Sequence, residues 1–194
     1  GLSFLGEKIG QKVASEKVSI ADDPTLKGSY GAFPFDAEGL PARRTEIVQD
    51  GILKSYLHNS STAKKFGTQS TANAGLMAPR PFNLIVGDGD KTLEDLIRSV
   101  DKGIYVTNDW YLRYQNYSTG DFSTIPRDAM FLIRNGQIEK PIRELRISDN
   151  MLHILQNVSS LTKNRVWVKW WEVEVPTLSP AALVEKIRFT KSSM

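Results

Sequence analysis

The 194 residues carry 25 Lys and Arg against 22 Asp and Glu, a formal net charge of +3, with 40% hydrophobic and 24% charged residues. This is the balance of an ordinary folded domain with a sizeable core, and its mild positive excess does not demand a nucleic acid or an anionic membrane as partner. The absence of cysteine excludes a disulfide framework and a thiolate metal site and suits the cytoplasm, and no apolar run approaches the roughly 20 residues of a membrane-spanning helix.

The chain opens at Gly1-Leu2-Ser3 without an initiator methionine, which predicts one domain, residues 1–194, of a longer polypeptide. Residues 3–14 read as a helix: Ser3 can cap it, and Leu5, Ile9 and Val13 recur at i, i+4 and i+8. Gly6 and Gly10 weaken it by about 1 kcal/mol each. Lys17–Ala21 reads as a strand stopped by Asp22-Asp23-Pro24. A Gly- and Pro-rich loop over 26–42 leads into a hairpin at 43–57 around Asp50-Gly51, because Asp-Gly supplies the positive φ a two-residue turn needs. Val48 and Leu53 share one face of it; Ile47, Ile52 and Tyr56 share the other.

Asn59–Phe66 reads as a short helix closed by Gly67, and residues 67–81, without periodicity, as a long loop of the kind that tends to be functional. Phe82–Val86 is a strand. Thr92-x-x-Asp95 caps a helix with Leu93, Leu96, Ile97 and Val100 as its stripe and Gly103 as its end. Strands follow at 104–106, 110–114 and 121–124, then a second hairpin at 130–142 around Asn135-Gly136, with Ile133 opposite Ile138. Both hairpins have mixed faces, which predicts a larger sheet covered on both sides. After a strand near 143–147, Ser148 caps a helix carrying Met151, Leu155 and Val158. The tail reads as a Trp-rich strand over Arg165–Val175 and a last strand over Leu183–Phe189. The fold class is α+β: a β-rich, mostly antiparallel sheet, barrel-like or layered, with three or four flanking helices.

Few residues point to chemistry. The only histidines, His58 and His153, lie in no zinc-ligand spacing and read as structural. Asp22, Asp23, Asp36 and Glu38 could surround a cation, but Asp22-Asp23-Pro24 is more simply a turn whose side chains bond nearby N–H groups. No nucleophile elbow or phosphate loop occurs. The stretch DWYLRYQNYSTGDFSTIPRD interleaves aromatics with Arg113 and Arg127 and could stack on bases, yet this pattern more often makes a sheet face or an interface. Trp167 and Trp171 alternate with charge, which suits a half-buried strand or a subunit contact, with plain core packing as the simpler reading. In the loop GTQSTANAG, the side chains of Thr71 and Asn73 and the open backbone at Gly75 could line a groove for an extended peptide.

Several stretches, in order, resemble the C-terminal region of the TldD/PmbA family, also described as TldD/TldE metallopeptidases or modulators of DNA gyrase. They are SFLGEKIGQKVAS, IADDP, FPFDAEGLPARRTEIVQDGILKSYL, AKKFGTQSTANAG, DKGIYV, STGDFS, FLIRNGQIEKPI and NMLHILQNVSSL, covering nearly all of residues 3–161. The resemblance implies proteolysis and peptide maturation by two related subunits, of which the active one holds zinc through an H-E-x-x-x-H helix and a late cysteine. Neither ligand set occurs here, and the region matching the cysteine loop, Leu161–Pro176, has no glycine. The implied identity is therefore a subunit of the PmbA/TldE type with no catalytic or metal residue of its own and no cofactor; zinc would belong to the active partner. Its partner would be a TldD-type subunit or a second copy. Thr71, Asn73 and Gly75, then Asp36, Glu38 and Arg44, are the expected peptide or interface contacts. Two alternatives stand beside it: a nucleic-acid-binding modulator of gyrase, and the C-terminal domain of an active subunit whose histidine motif lies upstream.

Overall fold

Asp50 and Gly51 have φ of 49° and 78°, and Asn135 and Gly136 have 50° and 73°, the left-handed pairs that a two-residue hairpin turn requires. The computed structural model describes residues 3–191. In chain order it contains β1 (Ile20–Asp22), β2 (Thr45–Gln49), β3 (Ile52–Leu53), helix α1 (Ser60–Lys65), β4 (Leu84–Val86) and helix α2 (Leu93–Arg98). Then come β5 (Lys102–Val106), β6 (Asp109–Asn116), β7 (Asp121–Pro126), β8 (Met130–Arg134), β9 (Gln137–Ile142) and β10 (Leu145–Asn150). Helix α3 (Met151–Gln156), β11 (Val158–Trp170), β12 (Val173–Val184) and β13 (Phe189–Lys191) complete the order.

Among the described residues the strands form three sheets, none closed into a barrel: β11-β12-β4-β1-β2-β3, β13-β10-β7-β6 and β5-β8-β9. Every pairing is antiparallel except β12 with β4. The α+β reading, mostly antiparallel with three helices, holds. Register agrees where turn chemistry fixed it: Val48 faces Leu53 and Ile133 faces Ile138. Asn59 caps α1 in a reciprocal box with Thr62, and Thr92 and Asp95 do the same for α2.

Several expectations are corrected. Residues 3–14 form turns, not a helix. Glu7 and Gly10 take φ of 59° and 80°, and backbone donors are spent on the first hairpin: Gly10 N–H on the Leu53 carbonyl, Val13 and Ala14 N–H on that of Gly51. The second hairpin does not share a sheet with the first. It belongs to the three-stranded sheet, where β9 is an exposed edge with Glu139, Lys140 and Pro141 outward, since proline cannot donate to a further strand. Helix α2 ends at Arg98 with Ser99 as cap, and Gly103 lies inside β5. Asn150, not Ser148, caps α3, its side chain accepting from the N–H groups of Leu152 and His153; Ser148 lies within β10. The Trp-rich tail is not one strand but the hairpin β11–β12, turning at Trp171-Glu172, and Leu183 lies in β12, which ends at Val184, while Phe189 begins β13.

The core lies on the six-stranded sheet. Val13, Ala14, Val18, Val48, Leu53, Val158 and Leu161 are buried together, with Leu152 and Leu155 of α3 packed against them. Gly51 sits against this core: a Cβ there would lie 2.4 Å from the Ala14 carbonyl oxygen, whereas at Gly39, with φ of 79°, it would meet nothing within 4 Å. Gly39→Ala is expected to cost about 1–2 kcal/mol from backbone strain alone, and Gly51→Ala clearly more, read as the difference in urea midpoints.

Candidate functional site

β1 ends in Asp22, whose side chain is fully buried. One carboxylate oxygen accepts from the N–H groups of Phe82 and Asn83, both at 2.8 Å, and the other from the Asn73 side-chain amide at 2.5 Å. These partners are 51 to 61 residues away in sequence. The reading of Asp22 as a turn residue bonding nearby N–H groups is thus corrected; Asp23 alone does that, accepting from Thr25 N–H at 3.0 Å.

The network continues outward. Asn73 also donates to the Arg80 carbonyl at 3.1 Å, and its Oδ1 is the one buried side-chain polar atom without a partner among the described residues. Asn83, equally buried, accepts from Gly31 N–H and donates to the Asp23 carbonyl and Ser29 hydroxyl. Gly31 is required here, since a Cβ would lie 2.0 Å from the Phe82 carbonyl oxygen. Asp36, 3% exposed, accepts from Glu38 and Leu40 N–H at 3.0 Å and from Ala74 N–H at 2.9 Å. Thr71 clamps the residue before the α1 cap, its hydroxyl accepting from His58 N–H and donating to the His58 carbonyl.

Of the six expected contact residues, Thr71, Asn73 and Asp36 are buried; Asp36 ties loop 26–42 to Ala74 of loop 67–81, Asn73 ties the latter loop to Asp22, and Thr71 ties it to His58. Gly75 sits in a tight turn below an exposed tip, donating to the Ala78 carbonyl at 3.0 Å. Glu38 is exposed and holds the start of α1 through Ser60 N–H and Oγ. Arg44 stands apart, paired with Asp23 at 3.3 Å and Glu46 at 2.6 Å. The loops also expose large apolar side chains: Leu76 and Met77 at the tip are 97% and 93% exposed, and Phe35 is 58% exposed. Sequence reasoning missed Asp22 and Asn83 as the centre of the network; no local pattern marks them, because their partners are distant. It also missed the exposed Leu76-Met77 pair, which was legible as two large apolar residues in a loop.

Among the described residues no three His, Cys, Asp or Glu side chains gather closely enough to hold a metal ion. His58 is buried with its Nδ1 on the Thr62 hydroxyl, and His153 bonds Asp149 at 2.8 Å. The arginines proposed for base stacking are engaged otherwise. Arg113 pairs with Glu172 at 3.1 Å, and Arg113 and Arg127 both lie over the Tyr111 ring. No helix among the described residues is long and apolar enough to cross a membrane. Among the described residues the arrangement offers no ligand set for zinc.

Residues 1–191 match the family model of the PmbA/TldA metallopeptidase C-terminal domain. The chain belongs to this family. It is 34% identical over 165 residues to the metalloprotease TldD homolog of Buchnera aphidicola, covering 82% of this chain and 34% of that protein. A Thermotoga maritima protein described as a modulator of a DNA gyrase superposes with a TM-score of 0.87 at 30% identity, over 97% of this chain and 42% of the other. TldE from Thermococcus kodakarensis superposes with a TM-score of 0.85 at 25% identity, over 95% and 42%. The chain spans about a third of the length of the curated relatives it matches. Relatives named TldD and TldE both match this PmbA/TldD-family chain, so similarity alone does not assign its type.

Asp22→Ala would strand three buried donors at once, and a loss of about 3 kcal/mol or more is expected by urea denaturation. Burial pushes the Asp22 carboxyl up from its ordinary value, with the Asn83, Asn73 and Phe82 donors only partly offsetting it. Protonation of Asp22 is therefore easier in the fold than in the unfolded chain. Relative to Asp22→Asn, the wild type should gain stability as pH falls through the raised value toward about 4, below which the difference is constant. Melting temperatures of both proteins across that range check the sign.

Proposed function

We propose that this chain is the C-terminal domain of a PmbA/TldE-type subunit, which pairs with a TldD-type peptidase subunit or a second copy in the cytoplasm and lines a peptide channel without supplying metal ligands. The observation that carries the reading is the division of labour in the two loops. The buried Asp36, Thr71 and Asn73 hold the backbone, while Leu76, Met77 and Phe35 are exposed. Large exposed apolar side chains on a rigidly tied loop suit a protein or peptide contact. Thr71, Asn73 and Asp36 would act by fixing the loops; Gly75 and the loop tip would touch the partner or peptide, with Glu38 at the edge and Arg44 in a neighbouring cavity.

The chemistry of a zinc peptidase, polarising the scissile carbonyl and activating water, is assigned to the partner, because the described residues offer no fitting donor set. The 34% identity to a TldD homolog favours a second reading, in which the chain completes an active subunit whose histidine helix lies elsewhere in the protein.

Zinc analysis of the purified full-length protein separates the two: far less than one zinc per chain supports the supporting-subunit reading, and one tightly held zinc per chain overturns it. Replacing Leu76 and Met77 by serine should weaken association with the TldD-type subunit by about tenfold or more while leaving the melting temperature unchanged. Sedimentation of the mixture checks this.

A further inference from the structure

A cavity of about 300 Å³ opens on the six-stranded sheet between Arg44 and Arg165, at the small end of ligand sites. Its two guanidiniums are not equivalent. Arg44 is neutralised by Asp23 and Glu46. Arg165 has no acidic partner among the described residues; its Nη1 donates to the Val86 carbonyl at 3.1 Å, which fixes the plane and leaves other N–H donors unused.

The placement of Arg165 is built into the strand. Between Leu161 and Arg165, β11 makes four steps while β12 makes two, from Ala182 to Pro180. The extra residues form a bulge held by the buried Thr162, whose hydroxyl accepts from Ala181 N–H at 2.9 Å and donates to the Asn164 carbonyl at 2.9 Å. Bulges of this kind re-aim side chains. Beside the guanidinium, Leu26, Ile85 and Leu178 line the cavity with aliphatic surface, and Asp88 stands exposed at the rim.

We infer that this cavity captures the free C-terminal carboxylate of a peptide ending in an aliphatic residue, with Arg165 as the carboxylate ligand. A planar guanidinium matches a carboxylate in two parallel hydrogen bonds. A terminal residue carries its carboxylate and its alkyl group on one carbon, so a small cavity with both surfaces meets both at once. A glutamate side chain offers the carboxylate without the adjoining alkyl group, and Asp88 opposes a second negative charge. The inference rests on the peptide-handling reading above and names the end of the peptide it would recognise.

The test uses full-length protein labelled at arginine with nitrogen-15, titrated with N-acetyl-Gly-Leu as free acid, the same dipeptide as its amide, and N-acetyl-Gly-Glu-amide. The free acid should bind and shift the Arg165 Nε–H resonance, and the two amides should bind about tenfold or more weakly. Arg165→Gln should abolish the preference for the acid, and Arg165→Lys should restore only part of it. Equal binding of acid and amide, no binding of the acid by the wild type, or an unmoved Arg165 resonance overturns the inference. If N-acetyl-leucine binds as well as every longer peptide, the carboxylate site stands and peptide handling fails. If peptides bind wild type and Arg165→Gln alike regardless of amidation, peptide handling stands and the carboxylate site fails.

Discussion

A carboxylate without access to water terminates the short strand β1, and the loops of this domain are arranged around it. Burying such a group costs several kcal/mol, and the cost is tolerable only when donors surround it. Asp22 meets that condition with two backbone N–H groups and one amide drawn from positions 73, 82 and 83. Each donor is in turn part of a segment with further ties: Asn73 to the Arg80 carbonyl, Asn83 to Gly31 and Ser29, and the neighbouring Ala74 to Asp36. Long loops without secondary structure of their own therefore have few ways to rearrange. Because every donor is committed, loss of one partner propagates to the others.

That rigidity gives the outward face its meaning. An apolar tip such as Leu76-Met77 on a free loop would be an aggregation hazard; on a backbone tied at positions 73, 74, 75 and 80 it becomes a shaped contact. The six-stranded sheet serves two roles at once. It packs Val13, Val48, Leu53, Val158 and Leu161 into the core, and it carries the cavity where Arg44 is neutralised and Arg165 is not. The proposed function assigns binding surfaces of fixed geometry to this chain, which spans about a third of the length of the curated relatives it matches, and chemistry to its partner.

Legibility in the sequence followed the range of the forces. The two hairpin turns and the caps of α1 and α2 were readable because Asp50-Gly51, Asn135-Gly136, Asn59 and Thr92 act on neighbours within four residues. The opening segment misled because Leu5, Ile9 and Val13 keep a helical period, while the decisive bonds of Gly10, Val13 and Ala14 go to a hairpin some forty residues on. The β11–β12 turn carries neither glycine nor asparagine. Its Glu172 is held instead by Tyr111 N–H and Arg113, a tertiary clasp that no local pattern announces. The site followed the same rule. Thr71, Asn73, Gly75 and Asp36 were singled out as polar or small residues in long loops, but the bonds that hold Thr71 to His58, Asn73 to Asp22 and Asp36 to Ala74 reach partners 13 to 51 residues away. The lone charge of Arg165 depends on a bulge, which sequence alone does not display.

Amide hydrogen exchange on Asp22→Ala, compared with the wild type under conditions where both are folded, tests the central role of this buried carboxylate most directly. Protection should collapse in residues 29–42 and 71–83, at Ala74, Phe82 and Asn83 first, while β11 and β12 keep theirs. Uniform loss across the whole domain, or unchanged protection in the two loops, would contradict a network centred on Asp22.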